Sequence, residues 1–232
     1  MLILAFESSA KAASVALHDG SKLLAESYQN TGMTHSQTLM VMAEDLLKQC
    51  GFTASDVTHV AVAAGPGSFT GVRIGVAAAK GFAWGAQLPL YGVSTLEAMV
   101  RQVEMKGFSF CACMDARRNQ VYNAIFESTG AGFQRVTQDR AISLAELEAD
   151  LKARAPQGTL LVGDGAKLVY ESLDVDGLIL TPEAYRQQRA SGVAVVAAEQ
   201  IAAGVSADAA SLQPNYLRLS QAERERLARE QK

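Results

Sequence analysis

The sequence is short of charge. Lysine and arginine together number 21 and aspartate and glutamate 24, giving a net charge of −3, with charged residues at 19% of 232 positions. Without a basic excess, nothing global points to a nucleic-acid or membrane coat. Long hydrophobic runs are also missing. The uncharged stretches between Asp56 and Arg73 and between Lys80 and Glu97 are 16 residues each and contain glycine and proline, so neither reads as a membrane span. The N-terminus meets Glu7 after a short apolar run with no basic segment, and no signal peptide is expected there. Only three cysteines occur, Cys50, Cys111 and Cys113, which fits a reducing cytoplasm. Cys111 and Cys113 share one face of an apolar strand and are expected to fill core.

Catalytic motifs are equally scarce. The three histidines, His18, His35 and His59, form no close pair, so a sequence-local zinc site and metalloprotease chemistry are excluded. No Gly-Lys pair exists, so there is no Walker A loop. The glycines of Gly65-Pro66-Gly67-Ser68-Phe69-Thr70-Gly71 miss the dinucleotide fingerprint by one residue, and Ser68 lacks the flanking glycines of a nucleophile elbow.

What is present is a globular composition, 49% hydrophobic. The length suits one large domain or two small ones. Charge divides the chain: residues 1–103 carry 6 basic and 7 acidic side chains, residues 104–232 carry 15 and 17. The first part reads as strands 2–7, 14–18 and 22–28, a helix over 34–50, a strand at 60–64, the glycine-rich loop 65–71, a helix over 72–86, a strand near 88–93 and a helix from 94 to 102. The second part opens on strands 108–114, 121–127 and 133–137. A helix over 143–154, a strand at 159–162 and an alanine-rich helix over 193–203 follow. The order βββαβα thus occurs twice, a topological duplication that predicts an α/β fold of mixed sheets covered by helices. The expected division is an N-terminal lobe over 1–103, a C-terminal lobe over 104–216 and a charged tail over 217–232.

Three features bear on function. Loop 65–71 leads into a helix, where free backbone N–H groups and the hydroxyls of Ser68 and Thr70 suit a phosphate. A tight, capped strand-to-helix turn uses the same residues equally well. Glu7, Ser8 and Ser9 close the first strand, and Asp115 sits in the same relation to the first strand of the second part. The pair suits a nucleotide–metal site, or two ordinary turns. Finally, helix 72–86 is apolar on nearly all sides except a ridge holding Arg73 and Lys80, so it needs a second cover beyond its own sheet. Helix 34–50 has a wide apolar arc too, with Met33, Met40 and Met42 as adaptable contacts and His35 beside Leu46. Both helices are expected at a protein interface built from Met33, His35, Leu39, Met42, Leu46, Arg73, Ala77 and Lys80. Burial by the chain's own second half is the competing explanation.

Several segments together resemble one family. MLILAFESSAKAASVAL, HSQTL, GPGSFTGVRIG, AKGFAWGAQLPLYGVSTLEAM, DARRNQVY and PNYLR look like the bacterial TsaB (YeaZ) family, over nearly the whole chain. The resemblance implies the two-lobed actin-like ATPase fold (ASKHA, ribonuclease H-like). It also implies a part in forming N6-threonylcarbamoyladenosine at the tRNA adenosine 3′ of the anticodon, in tRNAs that read codons starting with A. The implied role is a non-catalytic subunit that binds and activates the transferase TsaD, with TsaE in a ternary complex, a homodimer as another assembly, and tRNA met indirectly. No membrane partner is implied, and ATP or ADP with magnesium enters only through the complex. The phosphate-site residues carried by this reading are Glu7, Ser8, Ser9, Gly65, Gly67, Ser68 and Asp115. TsaD's paired metal histidines fall at Thr95 and Met99, which ligate such metals poorly. The family's first-strand acid, usually aspartate, is Glu7 here, which moves its carboxylate roughly 1.5 Å. The alternative is a stand-alone nucleotide-dependent ATPase or kinase of the same fold.

Overall fold

The computed structural model describes residues 1–103, 105–129, 132–154, 158–207 and 209–218. Most of the tail expected over 217–232 therefore lies outside the described residues. The first sheet holds β1 (Ile3–Glu7), β2 (Ala13–His18), β3 (Leu23–Gln29), β4 (His59–Gly65) and β5 (Leu90–Ser94) in the order β3-β2-β1-β4-β5. The second holds β6 (Ser109–Arg117), β7 (Gln120–Thr129), β8 (Gly132–Arg135), β10 (Thr159–Val162) and β11 (Leu178–Leu180) in the order β11-β10-β6-β7-β8, with β9 (Arg140–Ser143) also pairing with β7. Each sheet has one central strand, β1 or β6, with an antiparallel hairpin partner on one side and a parallel strand on the other. The duplication read from the sequence is therefore a duplication of strand order.

Alternation along β1 explains the layers. Leu4 and Phe6 point toward α1 (His35–Gln49) and α2 (Phe69–Ala86), and join Leu39, Met42, Leu46, Val72 and Val76 in one core. Ile3 and Ala5 point the other way, onto α6 (Ala190–Ala202). Buried on both faces, β1 reads as a continuous apolar run. In the second sheet, Cys111, Cys113 and Ile125 pack under α4 (Leu144–Arg154) and α5 (Ala166–Ser172), while Phe110, Ala112 and Met114 face α3 (Thr95–Arg101). Both strand cysteines are free thiols in core, as their spacing predicts. The Ser143–Glu146 capping box also forms, with each residue's side chain accepting from the other's backbone N–H.

The two parts interlock. A cut at residue 103 does not separate two self-contained cores, because each part lends the other a helix. Leu96, Met99 and Val100 of α3 cover the second sheet, and Val193, Val196 and Ala197 of α6 cover the first. Burying each valine contributes roughly 1.5–3 kcal/mol. The lent helices also meet each other. Gly192 of α6 lies so close to the Ala98 carbonyl that a Cβ there would run into it, and Arg101 pairs with Glu199 at 2.8 Å. The structure also has elements beyond those expected, namely α5, β9 and β11. It moves the start of the second helix from 72 back to Phe69.

Because the obstacle at Gly192 is backbone, it has little room to yield. Gly192→Ala is expected to lower stability by about 1–3 kcal/mol, read as a fall in the urea midpoint. An unchanged midpoint would mean that the two helices can slide apart without cost.

Candidate functional site

The carboxyl ends of β1, β4, β6 and β10 open onto one cleft between the sheets, the usual place for a ligand in an open α/β sheet. The cleft encloses about 720 Å³. Ser9, Lys11, Gly67, Ser68 and Phe69 line it from the first lobe, Asp115, Arg117, Tyr122 and Asp164 from the second, and Asn215 to Arg218 run along it.

The wall at loop 65–71 is built for close packing. The chain after β1 turns at Ser8 and Ser9 and nests against the start of α2. A Cβ on Gly67 would meet the Ser9 carbonyl oxygen, and one on Gly71 would meet that of Ser8. Ser8 Oγ donates to the Gly71 carbonyl at 2.9 Å, and the Ser68 N–H donates to the Ser9 carbonyl at 2.7 Å. Ser68 is the N-cap of α2, its Oγ accepting from the Gly71 N–H at 3.3 Å. The capped-turn reading describes this loop: Ser68 N–H, Gly71 N–H and the Ser8 hydroxyl are spent within the protein.

The acids form a graded set. Glu7 is fully buried. One carboxylate oxygen accepts the Ser9 N–H at 2.5 Å, and the other has no hydrogen-bond partner among the described residues. Burial pushes its carboxyl up to about 7, against the hydrogen bonds from Ser9, with Asp164 adding a smaller push. Asp164 is open to solvent but recessed between the lobes. The surrounding protein raises its pKa, while Gln188 Nε2 donates to it at 2.8 Å. Asp115 is half-buried and accepts from the backbone N–H and the guanidinium of Arg117 at 2.7 and 3.1 Å.

Of the seven residues expected to hold phosphate, Ser9, Gly67, Ser68 and Asp115 line the cleft. Glu7 and Ser8 lie behind the wall, and Gly65 is covered by the Asn215 backbone. Glu7 is fully buried and is not part of the cleft lining, so its carboxylate does not reach a magnesium–nucleotide placed in the cleft. Among the described residues no group of three His, Cys, Asp or Glu side chains could hold a metal ion. Asp164 and residues 215–218 were not singled out from sequence. The turn Gly163-Asp164-Gly165 and the segment PNYLR were the available signals.

The expected interface residues divide sharply. Leu39, Met42 and Leu46 are buried in the first core at 1%, 4% and 5% exposure, so they cannot meet a partner. The apolar arc of α1 faces the chain's own sheet. His35 is half-buried, with Nε2 2.8 Å from the Ala10 carbonyl, and braces the turn after β1. Arg73 and Lys80 are held by the C-terminal segment: Arg73 Nε donates to the Tyr216 hydroxyl at 2.7 Å, and Lys80 Nζ donates to the Ala210 carbonyl at 3.3 Å. Ala77 is exposed, and Met33 is 55% exposed. Trp84, missed as a contact residue, stands 80% exposed on the side of α2 that also carries Ala77 and Gly81. Met40 and Val41 add exposed apolar surface on α1.

Comparison with known proteins gives this geometry a family. The chain is 33% identical to the tRNA threonylcarbamoyladenosine biosynthesis protein TsaB of Bacillus subtilis (strain 168), covering 96% of each. It is 30% identical to the protein of the same name from Escherichia coli (strain K12), over 94% of this chain and 95% of that one. The chain belongs to the TsaB family. The sequence model described as TsaD, tRNA N6-adenosine threonylcarbamoyltransferase, also matches residues 28–226. Among solved structures, YeaZ from Pseudomonas aeruginosa superposes with a TM-score of 0.78 at 25% identity, over 93% of this chain and 99% of that one. The component A of (R)-2-hydroxyglutaryl-CoA dehydratase from Acidaminococcus fermentans reaches 0.50 at 12% identity, over 87% and 99%, a likeness of fold alone. The fold is the two-lobed actin-like one. Thr95 and Met99 are 0% and 1% exposed, and Met99 lies in the core beneath α3. Among the described residues no helix is long and apolar enough to cross a membrane.

The buried Glu7 carboxyl makes stability depend on pH. With a value near 4.5 unfolded and about 7 folded, the folded protein holds a proton that the unfolded chain has released between those limits. The resulting stabilisation is complete below about 4.5 and is lost as pH rises through 7, a change on the order of 3 kcal/mol. Glu7→Gln should flatten that part of the profile in urea titrations at pH 5 and pH 8. An equally steep profile in the variant would assign the effect to another group.

Proposed function

We propose that the chain is a non-catalytic subunit that binds and activates TsaD as it transfers a threonylcarbamoyl group to the tRNA adenosine 3′ of the anticodon. The names of its relatives place them in this biosynthesis, and the family-wide match supports the same work for this chain. One observation supports the finer reading: on the apolar face of α2, Trp84 is 80% exposed beside the exposed Ala77 and Gly81, and none of the described residues covers that face. An apolar patch of this kind is stable in water when a partner covers it. The TsaD surface is the proposed cover, a second copy of the chain uses the same face in a homodimer, and TsaE joins the pair. The proposed setting is the cytoplasm.

The lack of a catalytic role in this reading rests on α3. The positions that the resemblance matches to TsaD's histidine pair hold Thr95 and Met99, poor ligands for such metals, both packed inside the protein. A second reading, a stand-alone ATPase or kinase, draws on the 720 Å³ cleft and its two open acids, Asp115 and Asp164. The spent N–H groups at Ser68 and Gly71 weigh against it.

A drop-out reconstitution tests the proposal. TsaD, TsaE, the donor-making enzyme, tRNA, ATP, threonine and bicarbonate are combined with and without the chain, and modified adenosine is counted. Modification is expected to require the chain. Ala77→Asp and Trp84→Ala are expected to abolish TsaD capture and modification together while changing stability by less than about 1 kcal/mol. Leu46→Asp instead buries a charge and is expected to unfold the protein. Capture of TsaD by a folded Ala77→Asp protein at wild-type strength would remove this face. ATP turnover by the isolated chain would favour the enzyme reading.

A further inference from the structure

The C-terminal segment 209–218 touches both lobes. Leu212 and Ala209 pack on the first core, with Leu212 seated over Gly92 of β5, where a Cβ would displace it. The Asn215 N–H donates to the Ala64 carbonyl at the end of β4, at 2.6 Å. Tyr216 stacks on Phe69, ring centres 4.8 Å apart, and the Arg73 guanidinium lies 4.0 Å over the Phe69 ring while its Nε donates to the Tyr216 hydroxyl. Two residues later the segment reaches the second lobe. Arg218 Nη1 donates to the Ala116 carbonyl, and more distantly to that of Arg117 at 3.5 Å, at the end of β6. Ala64 and Ala116 lie at the carboxyl ends of β4 and β6, on opposite sides of the cleft. Asn215, Tyr216, Leu217 and Arg218 form part of its lining.

We infer that residues 209–218 are a clasp that fastens α2 and the end of β4 to the end of β6 across the mouth of the cleft, so that the two lobes open only when the clasp lets go. The chemistry on the two sides is unequal. On the first lobe the hold combines an apolar anchor, a backbone hydrogen bond and a three-residue stack. On the second lobe it is one arginine on backbone carbonyls. Release therefore begins at Arg218, and the segment stays seated on α2 while the cleft opens. The same clasp occupies both cations of α2, since Lys80 is held by the Ala210 carbonyl, so the helix and the cleft share one fastening. This inference concerns the motion of the free chain and stands apart from the identity of its partner.

Hydrogen exchange of the full chain, read by mass spectrometry over residues 64–72 and 113–120, tests it. Arg218→Ala is expected to speed exchange in both stretches by about tenfold or more while leaving 209–214 protected. Tyr216→Phe keeps the ring and loses the hydroxyl, and a smaller acceleration in the same two stretches is expected. Tyr216→Ala should release 209–218 as well. Faster exchange confined to 209–218, a response in one lobe only, or no response to Arg218→Ala would each overturn the clasp. Arg218 lies outside both cores, so its variant retains the fold and keeps the test decisive if Tyr216→Ala does not.

Discussion

The architecture depends on the contact between α3 and α6. Each helix belongs by sequence to one half and by packing to the other, so the chain must cross between the sheets twice. The crossings are possible because the crossing surfaces are small. Gly192 and Ala98 let the backbones approach, and Ala190, Ala194 and Ala197 keep the face of α6 shallow enough to lie flat on Ile3, Ala5 and Ala61. Larger side chains would push α6 off the first sheet and open β1 to water on that face. The two lobes are therefore folded together rather than joined by a linker, and any relative motion must be a rotation about this helix pair. The cleft lies where such a rotation has effect.

A second close approach shapes the cleft wall. The run GPGSFTGVRIG looks like a phosphate cradle from its composition, and its glycines are indeed required by proximity, but the neighbour is the protein itself. The corner at Ser8 and Ser9 presses its carbonyls against Gly67 and Gly71, the Ser68 N–H donates to the Ser9 carbonyl, and the Gly71 N–H donates to Ser68 Oγ. Glu7 completes the arrangement from behind. Its carboxylate closes on the Ser9 N–H and lies in a dry setting that favours the protonated acid. An arrangement of this kind fixes the geometry of the β1 corner and α2, and so supports the helix that carries the exposed apolar face.

The sequence made the succession of elements, the capping box and the core placement of Cys111 and Cys113 legible, because each depends on neighbours along the chain. It did not reveal which half each helix covers. Periodicity shows that α6 is apolar, yet an alanine-rich helix carries no mark of the sheet it will meet. The same limit explains Leu39, Met42 and Leu46. Their arc is wide enough for a partner, but the sheet beside α1 takes Leu39, Met42, Ala43, Leu46 and Leu47 and leaves Met40 and Val41 exposed. Asp164 and Tyr216 were hidden for a related reason: a turn acid and an aromatic near the chain end become parts of a cleft only through contacts over long sequence separations.

The all-round apolar character of α2 then resolves into separate demands on one helix. One side meets the sheet through Val72, Val76 and Ala79. The ridge of Arg73 and Lys80 receives the chain's own segment 209–216, whose aromatic ring and carbonyl suit two cations. The remaining stripe, Ala77, Gly81 and Trp84, is exposed among the described residues. Had it been meant for solvent, charge there would have cost nothing, since an exposed helix position tolerates lysine or glutamate with no loss of propensity. Its positions instead carry alanine, glycine and one tryptophan, the composition of a surface that another protein can approach closely and anchor upon. A helix held on one side by its sheet and on another by a clasp presents that surface rigidly, so little ordering entropy is lost when a partner covers it.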